Sequence, residues 1–250
     1  SCYMRYRKML VRLRKQLNVI EQKMCSENNL WETIDFSAIP AKALNKYGLA
    51  LRNKTKSGDE RSDLYDRITC ASNFDAYLTK CRENPSTTRV HGAKLQPHEM
   101  ISKYRGKNPN LYSYSGTIPL DPVIEAQWID LIERLKESGT LTNSVAMIDV
   151  SGSMYPDAID KAVALGLVLS EVSTTFKDRF LTFNTQPEWV QLTGTTLHDR
   201  VRTTCRAPWG GSTNITSAMN MIRDSCLNAK MTSDEVGDLT FFIFSDMQFD

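Results

Sequence analysis

Three short clusters of carboxylate and hydroxyl residues are the part of this sequence best suited to chemistry. They are Asp149-Val-Ser-Gly-Ser153, Gly210-Gly-Ser-Thr-Asn214 and Ser245-Asp246. Their side chains offer hard oxygen donors, and Mg²⁺ in particular takes six oxygens at ~2.1 Å and keeps some of its waters. Two carboxylates leave a bound Mg²⁺ or Mn²⁺ ion neutral or positive, with one coordination position open. We therefore expect a divalent-metal site whose open position accepts the Asp or Glu side chain of a protein partner.

The residues around the clusters predict an α/β fold that would bring them together. Short apolar runs predict strands over residues 145–150, 179–183, 188–192 and 239–244, and amphipathic stretches predict helices over 159–172 and 214–229. Strands that alternate with helices indicate a mostly parallel sheet covered on both faces, and ligands bind beyond the carboxyl ends of such strands. Asp149, Ser151 and Ser153 alternate, so a loop that curls off the first strand can turn all three inward. Gly152 would tolerate the tight backbone of that loop.

The first half of the sequence predicts helices instead. Apolar residues recur at three- and four-residue steps from Tyr3 to Met24, and the same spacing continues in four further stretches. These stretches lie at about 37–51, 59–78, 96–106 and 121–139. The last of them is bounded by Asp121-Pro122 and Gly139, which are typical of a helix start and a helix end.

Charge divides the sequence in a similar way. Residues 1–110 contain 21 Lys and Arg against 11 Asp and Glu, whereas residues 111–250 contain 10 against 18. Such asymmetry suggests two modules with different partners. Six cations surround the first predicted helix, namely Arg5, Arg7, Lys8, Arg12, Arg14 and Lys15. Two interpretations stay open: these cations are the solvated face of a helix that packs by its Leu and Met stripe, or they contact the phosphates of RNA.

Several classes of protein find little support in the sequence. No run approaches the ~18 apolar residues of a membrane span, so no membrane partner is expected. The six cysteines form no C-x-x-C pair and are expected to be unpaired, mostly buried thiols inside the cell. The three histidines are isolated, Ser151 has no evident general base, and no G-x-x-x-x-G-K motif is present. A non-catalytic role is therefore expected, and a magnesium-dependent hydrolase is the alternative.

The three clusters together resemble the metal-ion-dependent adhesion site of von Willebrand factor A (vWA) domains, which combines Asp-x-Ser-x-Ser with a distant Thr and a later Asp. The resemblance implies that Asp149, Ser151 and Ser153 form the first metal loop. Thr213 would belong to the second loop and Asp246 to the third, where the Asp often acts through a water. It also implies a doubly wound, Rossmann-like sheet.

The order of the two halves extends this resemblance. A basic helical region before DVSGSM and GGSTN is similar to the Ro ribonucleoprotein, and this implies RNA binding by the basic half. The chain also resembles an uncharacterised family of plant, fungal and giant-virus proteins. The shared motifs are DVSGSM, LGL-x-x-SE at 165–171, TF-x-x-x-P at 182–187 and a terminal SDMQFD.

The predicted organisation is a helical or helical-repeat domain over residues 1–140 and a vWA domain over 141–250. The sequence opens inside an amphipathic pattern without an initiator Met, so the natural protein is expected to begin earlier. A complete vWA sheet has further elements after the third metal loop. The predicted domain is thus C-terminally incomplete, and a C-terminal segment or another chain is expected to complete its sheet. We expect the protein in the cytoplasm, or in the virion for a giant-virus member.

Overall fold

The computed structural model of the chain describes most of its length as two compact units, Ser1–His91 and Gly92–Asp250. The described residues are 2–16, 19–25, 30–90, 95–105, 118–155, 158–183, 186–207 and 214–246. A helical region precedes a mixed α/β region that contains a four-stranded, mostly parallel sheet. This arrangement confirms the α/β fold class.

The first unit is built from helices. Its helices are α1 (Cys2–Gln16), α2 (Ile20–Met24), α3 (Ala41–Leu51) and α4 (Tyr65–Glu83), with short 3₁₀ turns at Trp31–Thr33 and Phe36–Ala38. Leu44 and Leu51 of α3 and Phe74 and Leu78 of α4 are buried and form much of the core. The guanidinium of Arg67 lies over the Trp31 ring, 3.5 Å from its centroid, which joins α4 to the first 3₁₀ turn.

Much of the apolar stripe of helix α1 is exposed. Met9 and Leu13, which were expected to pack, have 54% and 51% of their surface accessible. Tyr3 and Tyr6 on the same helix are also exposed. Leu10 is half-buried, so the described part of this stripe is only partly covered.

The sheet of the second unit has the order β3-β2-β1-β4. Its strands are β1 (Ser144–Asp149), β2 (Arg179–Phe183), β3 (Glu188–Gln191) and β4 (Thr240–Phe244). Strand β1 runs parallel to β2 and to β4, with Met147 opposite Leu181 on one side and Ile243 on the other, and β3 is antiparallel to β2. Every residue of β1 is buried, which explains its uninterrupted apolar sequence.

Helices cover both faces of this sheet. They are α5 (Pro97–Arg105), α6 (Pro122–Ser138), α7 (Ala158–Val172), α8 (Leu197–Thr204), α9 (Ile215–Asn228) and α10 (Ser233–Gly237). Val145 and Met147 share a hydrophobic cluster with Ala218 of α9. Ile148 points to the other face and approaches Gly166 of α7. Helices α5 and α6 pack on α7 and α8, so the second compact unit begins well before residue 141.

Helix α6 begins and ends as its sequence predicts. The Asp121 carboxylate accepts a hydrogen bond from the Val123 amide, Pro122 follows the cap, and Gly139 ends the helix with φ +68°. Glu125 within α6 is buried, and it accepts hydrogen bonds from the Leu197 and His198 amides at 2.8 and 3.0 Å. Burial raises the pKa of Glu125, and these donors oppose the rise. One side chain thereby anchors the first turn of α8.

Strand β4 forms an edge of the described sheet and carries apolar residues on it. Phe241 and Ile243 have 37% and 41% of their surface exposed, and Leu227 and Val236 nearby are exposed as well. The expected completion of the sheet by a C-terminal segment or another chain stays a prediction. Protection of the β4 amides from hydrogen exchange in a longer chain would test it.

Within the described ranges, none of the helices has the length and apolar character of a membrane span.

Candidate functional site

Asp149 lies at the carboxyl end of β1, and its carboxylate is fixed on both sides. Its Oδ1 accepts a hydrogen bond from the Ser151 backbone amide at 2.9 Å. Its Oδ2 accepts one from the Ser245 hydroxyl at 2.6 Å. The second bond spans 96 residues and joins the ends of β1 and β4. Asp149 is completely buried, with 0% of its surface exposed.

Ser151 and Ser153 form the first loop beyond Asp149. The chain enters a short 3₁₀ turn at Gly152–Met154, and the two serine Oγ atoms lie 3.0 Å apart. Ser151 is buried, whereas Ser153 is exposed. Gly152 does not have a positive φ, and a Cβ there would meet no atom within 4 Å. The turn therefore does not need glycine for the conformational reason expected from the sequence.

Among the described residues, the Asp149 carboxylate has no ion-pair partner. No Lys, Arg or His of the described ranges forms an ion pair with its carboxylate, although ion pairs occur elsewhere in the same unit, such as Arg105 with Asp160 and Arg200 with Asp178. Buried carboxylates are ordinarily paired with a cation or coordinate a metal. The site therefore presents negative charge and hydroxyl oxygens together.

The other two predicted ligands are placed differently. Asp246 directly follows Ser245, two residues after the end of β4, and is half-buried. Asp246 and Asp149 both lie at the carboxyl ends of their strands, on the same side of the sheet, because β1 and β4 are parallel and in register. Thr213 lies outside the described residues, as do its neighbours 208–212. The structure thus brings together the first and third predicted clusters.

The described residues contain no group of three or more His, Cys, Asp or Glu side chains that could hold a metal. The predicted set has a different composition, since it consists of two carboxylates and three hydroxyls. Its donors are those that suit a hard cation which keeps some of its waters.

The predicted nucleic-acid contacts lie on α1. Arg5, Arg7, Lys8 and Arg12 are exposed, and the Arg7 guanidinium lies 5.1 Å from the centroid of the Tyr3 ring. The side chains of Arg14 and Lys15 fall outside the described part of the structure. The first helix contains no acidic residue in its first turn. The sequence of α1 contains no Asp or Glu at all, so the helix itself carries a net positive charge.

Ser245 is a site residue that was not among the predicted ligands. Its position beside Asp246 at a strand end was visible in the sequence, but its contact with Asp149 depends on β4 pairing with β1. None of the six cysteines forms a disulfide, and burial raises the pKa of Cys70 and Cys205 to about 11, so both stay protonated at neutral pH. His198 hydrogen-bonds the Ile118 carbonyl at 2.9 Å and packs against Tyr104.

Comparison with known proteins identifies relatives without an assigned activity. The uncharacterized protein L728 of Acanthamoeba polyphaga mimivirus is 36% identical over 245 residues, which are 98% of this chain and 40% of that protein. The chain thus spans less than half the length of this curated relative. No solved structure matches the chain. A family described as a domain of unknown function, DUF7788, matches residues 143–250. A second such family, DUF2828, matches residues 1–141, more than half of the sequence, and the chain belongs to it.

Proposed function

We propose that this protein binds Mg²⁺ or Mn²⁺ at the carboxyl ends of β1 and β4 and captures an acidic side chain of a protein partner on the bound ion. The ion would be held by Asp149, Ser151, Ser153, Thr213 and Asp246. Its role would be to supply positive charge and an open coordination position, without turnover of a substrate. The protein's own residues would fix the ion and shape the surface around it.

The buried carboxylate of Asp149 is the observation that carries this proposal. A fully buried Asp costs several kcal/mol as an ion unless other groups compensate its charge. Two hydrogen bonds provide part of the compensation, and no described cation provides the rest. A bound divalent cation would supply the missing positive charge.

The spacing of the serine hydroxyls fits magnesium. Neighbouring oxygens of an octahedron with ~2.1 Å metal–oxygen bonds are about 3.0 Å apart. Ser151 Oγ and Ser153 Oγ are separated by 3.0 Å. The two hydroxyls could therefore occupy adjacent coordination positions without a change in their separation.

The strand order supports a vWA-type, doubly wound domain. The order β3-β2-β1-β4 equals the first four strands of the doubly wound order 3-2-1-4-5-6. Ligands of such sheets bind where the order reverses, which is the crevice between β1 and β4. Asp149 and Ser245 meet at that point. The antiparallel β3 distinguishes this sheet from an entirely parallel Rossmann fold.

Binding of acetate to the Mn²⁺-loaded protein tests the capture of an acidic group. Paramagnetic Mn²⁺ broadens the NMR signal of any acetate that coordinates it, so the methyl line should broaden more with protein and Mn²⁺ together than with either alone. The Asp149→Ala variant should lack this excess broadening. If Mn²⁺ binds the protein but acetate is not broadened, the ion has no accessible position and the capture role is wrong.

The exposed cations of α1 favour RNA binding as a second candidate function. Binding driven by phosphate contacts weakens as salt rises, with a logarithmic slope of about −0.7 for each single-stranded phosphate contact. We expect a single-stranded RNA oligomer to bind with a strong salt dependence in fluorescence anisotropy. Replacing Arg5, Arg7 and Arg12 by Gln should reduce the slope by about 2. An unchanged slope would show that α1 does not contact RNA.

A further inference from the structure

A cavity of about 370 Å³ opens at the amino ends of the parallel strands, whereas Asp149 lies at their carboxyl ends. Its walls include Asn143, just before β1, Arg179, the first residue of β2, and Asp238, two residues before β4. Helix α9 contributes Ser225 and α10 contributes Glu235. The volume is within the range of small-molecule sites, and several polar groups converge on it.

Arg179 is the fixed cation of this cavity. Phe176 and Trp189 stack with their centroids 5.3 Å apart, and the Arg179 guanidinium carbon lies 4.8 and 4.9 Å from those centroids. The Trp189 indole N–H is itself fixed by a 3.0 Å hydrogen bond to Ser225 Oγ. In the described part of the chain, no carboxylate forms an ion pair with Arg179. A stacked guanidinium without an acidic partner is well suited to bind a planar carboxylate.

Two carboxylates line the same cavity. Glu235 closes a capping box with Thr232, and its Oε2 accepts hydrogen bonds from the Thr232 amide and hydroxyl. Asp238 also lines the cavity and is exposed. The described residues of the lining include one cation and two anions, a net charge of −1, which disfavours a simple anion as the ligand. A ligand must bring a carboxylate for Arg179 and a cation for the acidic wall.

We propose that this cavity binds a free amino acid with a cationic side chain, lysine or arginine. The α-carboxylate pairs with Arg179. The ammonium or side-chain cation faces Glu235 and Asp238. Thr175 and Asn143, which are hydrogen-bonded to each other at 3.1 Å, add polar surface between the two charged walls. The site is separate from the metal ligands and does not depend on the metal.

Calorimetry with L-lysine, L-arginine, glycine, L-glutamate and succinate tests the proposal. Lysine and arginine should bind, glycine more weakly, and glutamate and succinate least. Arg179→Gln should weaken lysine binding at least about tenfold, because a charge-assisted hydrogen bond is lost. The affinity of Arg179→Lys for lysine should lie between that of the unaltered protein and that of Arg179→Gln. The substituted side chain keeps the positive charge but lacks the planar fork of a guanidinium. Asp238→Asn should reduce the preference of the cavity for lysine over glycine.

Arg202→Gln is the matched control, because Arg202 is an exposed arginine outside the cavity. It should leave lysine binding unchanged. Circular dichroism establishes that each variant is folded, and Asp238→Asn still tests the site if loss of Arg179 prevents folding. Absence of lysine and arginine binding at millimolar concentration, tighter binding of succinate, or indifference to both Arg179→Lys and Asp238→Asn would each overturn the proposal.

Discussion

Replacing Asp149 by alanine is expected to weaken Mg²⁺ binding by at least about 100-fold. Loss of a residue that only supports a metal ligand typically costs 10–100-fold in affinity, and loss of a ligand should cost at least as much. Asp149 is also the buried carboxylate of the site, so its removal eliminates the main source of negative charge. Calorimetric titration with Mg²⁺ and Mn²⁺ measures this effect, with one binding site expected for the unaltered protein.

Three further variants separate a ligand role from a general effect. Asp246→Ala should also reduce affinity, by less if it acts through a water. Ser245→Ala should reduce affinity by about tenfold, because the Ser245 hydroxyl positions the Asp149 carboxylate. Asp63→Ala makes the same chemical change at an exposed carboxylate of the first unit and should have no effect. Retention of full affinity in Asp149→Ala would refute the assignment of the metal site.

Thermal stability provides a second measurement of the same site. A ligand that binds only the folded protein stabilises it by about 2.7 kcal/mol at a concentration 100 times its Kd. Mg²⁺ should therefore raise the melting temperature of the unaltered protein and of Asp63→Ala. It should have little effect on Asp149→Ala. A rise of the same size in all three proteins would place the responsible ion elsewhere.

The sheet and the helix α6 could be predicted because their signals are local. The apolar run around Val145–Ile148 indicates a fully buried strand, and β1 occupies it. Asp121, Pro122 and Gly139 mark both ends of α6 by cap chemistry that depends on adjacent residues only. For the same reason, the positions of Asp149 and Ser245 at strand ends followed from the sequence.

Contacts between distant elements account for only part of what was not predicted from the sequence. Helix α8 was not predicted, although Thr196 caps it locally; its contact with Glu125, 72 residues before Leu197, could not be read from the sequence. The antiparallel direction of β3 was not predicted, although the four residues between β2 and β3 are too few for a parallel crossover. The hydrogen bond from Ser245 to Asp149 requires the complete crossover from β1 to β4. Spacing along the chain does not reveal that last contact, because the two residues are 96 positions apart.

Replacing Gly166 by alanine is expected to destabilise the second unit by about 1–2 kcal/mol. A Cβ at Gly166 would lie 2.3 Å from Ile148 Cδ1 and 3.0 Å from Ile148 Cγ1, and Ile148 is completely buried. Overpacking of this kind costs about 1–3 kcal/mol. The higher helix propensity of alanine offsets up to about 1 kcal/mol of this loss in stability. Packing prevails over propensity here because neither β1 nor α7 can move without disturbing other buried contacts. The melting temperature should fall by about 5 °C.

A double mutant identifies Ile148 as the cause of this loss. Ile148→Val removes Cδ1 and alone should cost about 0.5–1.5 kcal/mol. In the Gly166→Ala background the same change relieves the closest contact, so the double mutant should be at least as stable as Gly166→Ala alone. Gly237→Ala is the control, because a Cβ there would meet no atom within 4 Å. It should leave stability nearly unchanged. Strictly additive losses in the double mutant would mean that Gly166 is required for a reason other than its approach to Ile148. Ile148 directly precedes Asp149 in β1. The close approach of Gly166 to Ile148 therefore also limits the distance at which α7 packs against the strand that carries the proposed metal ligand.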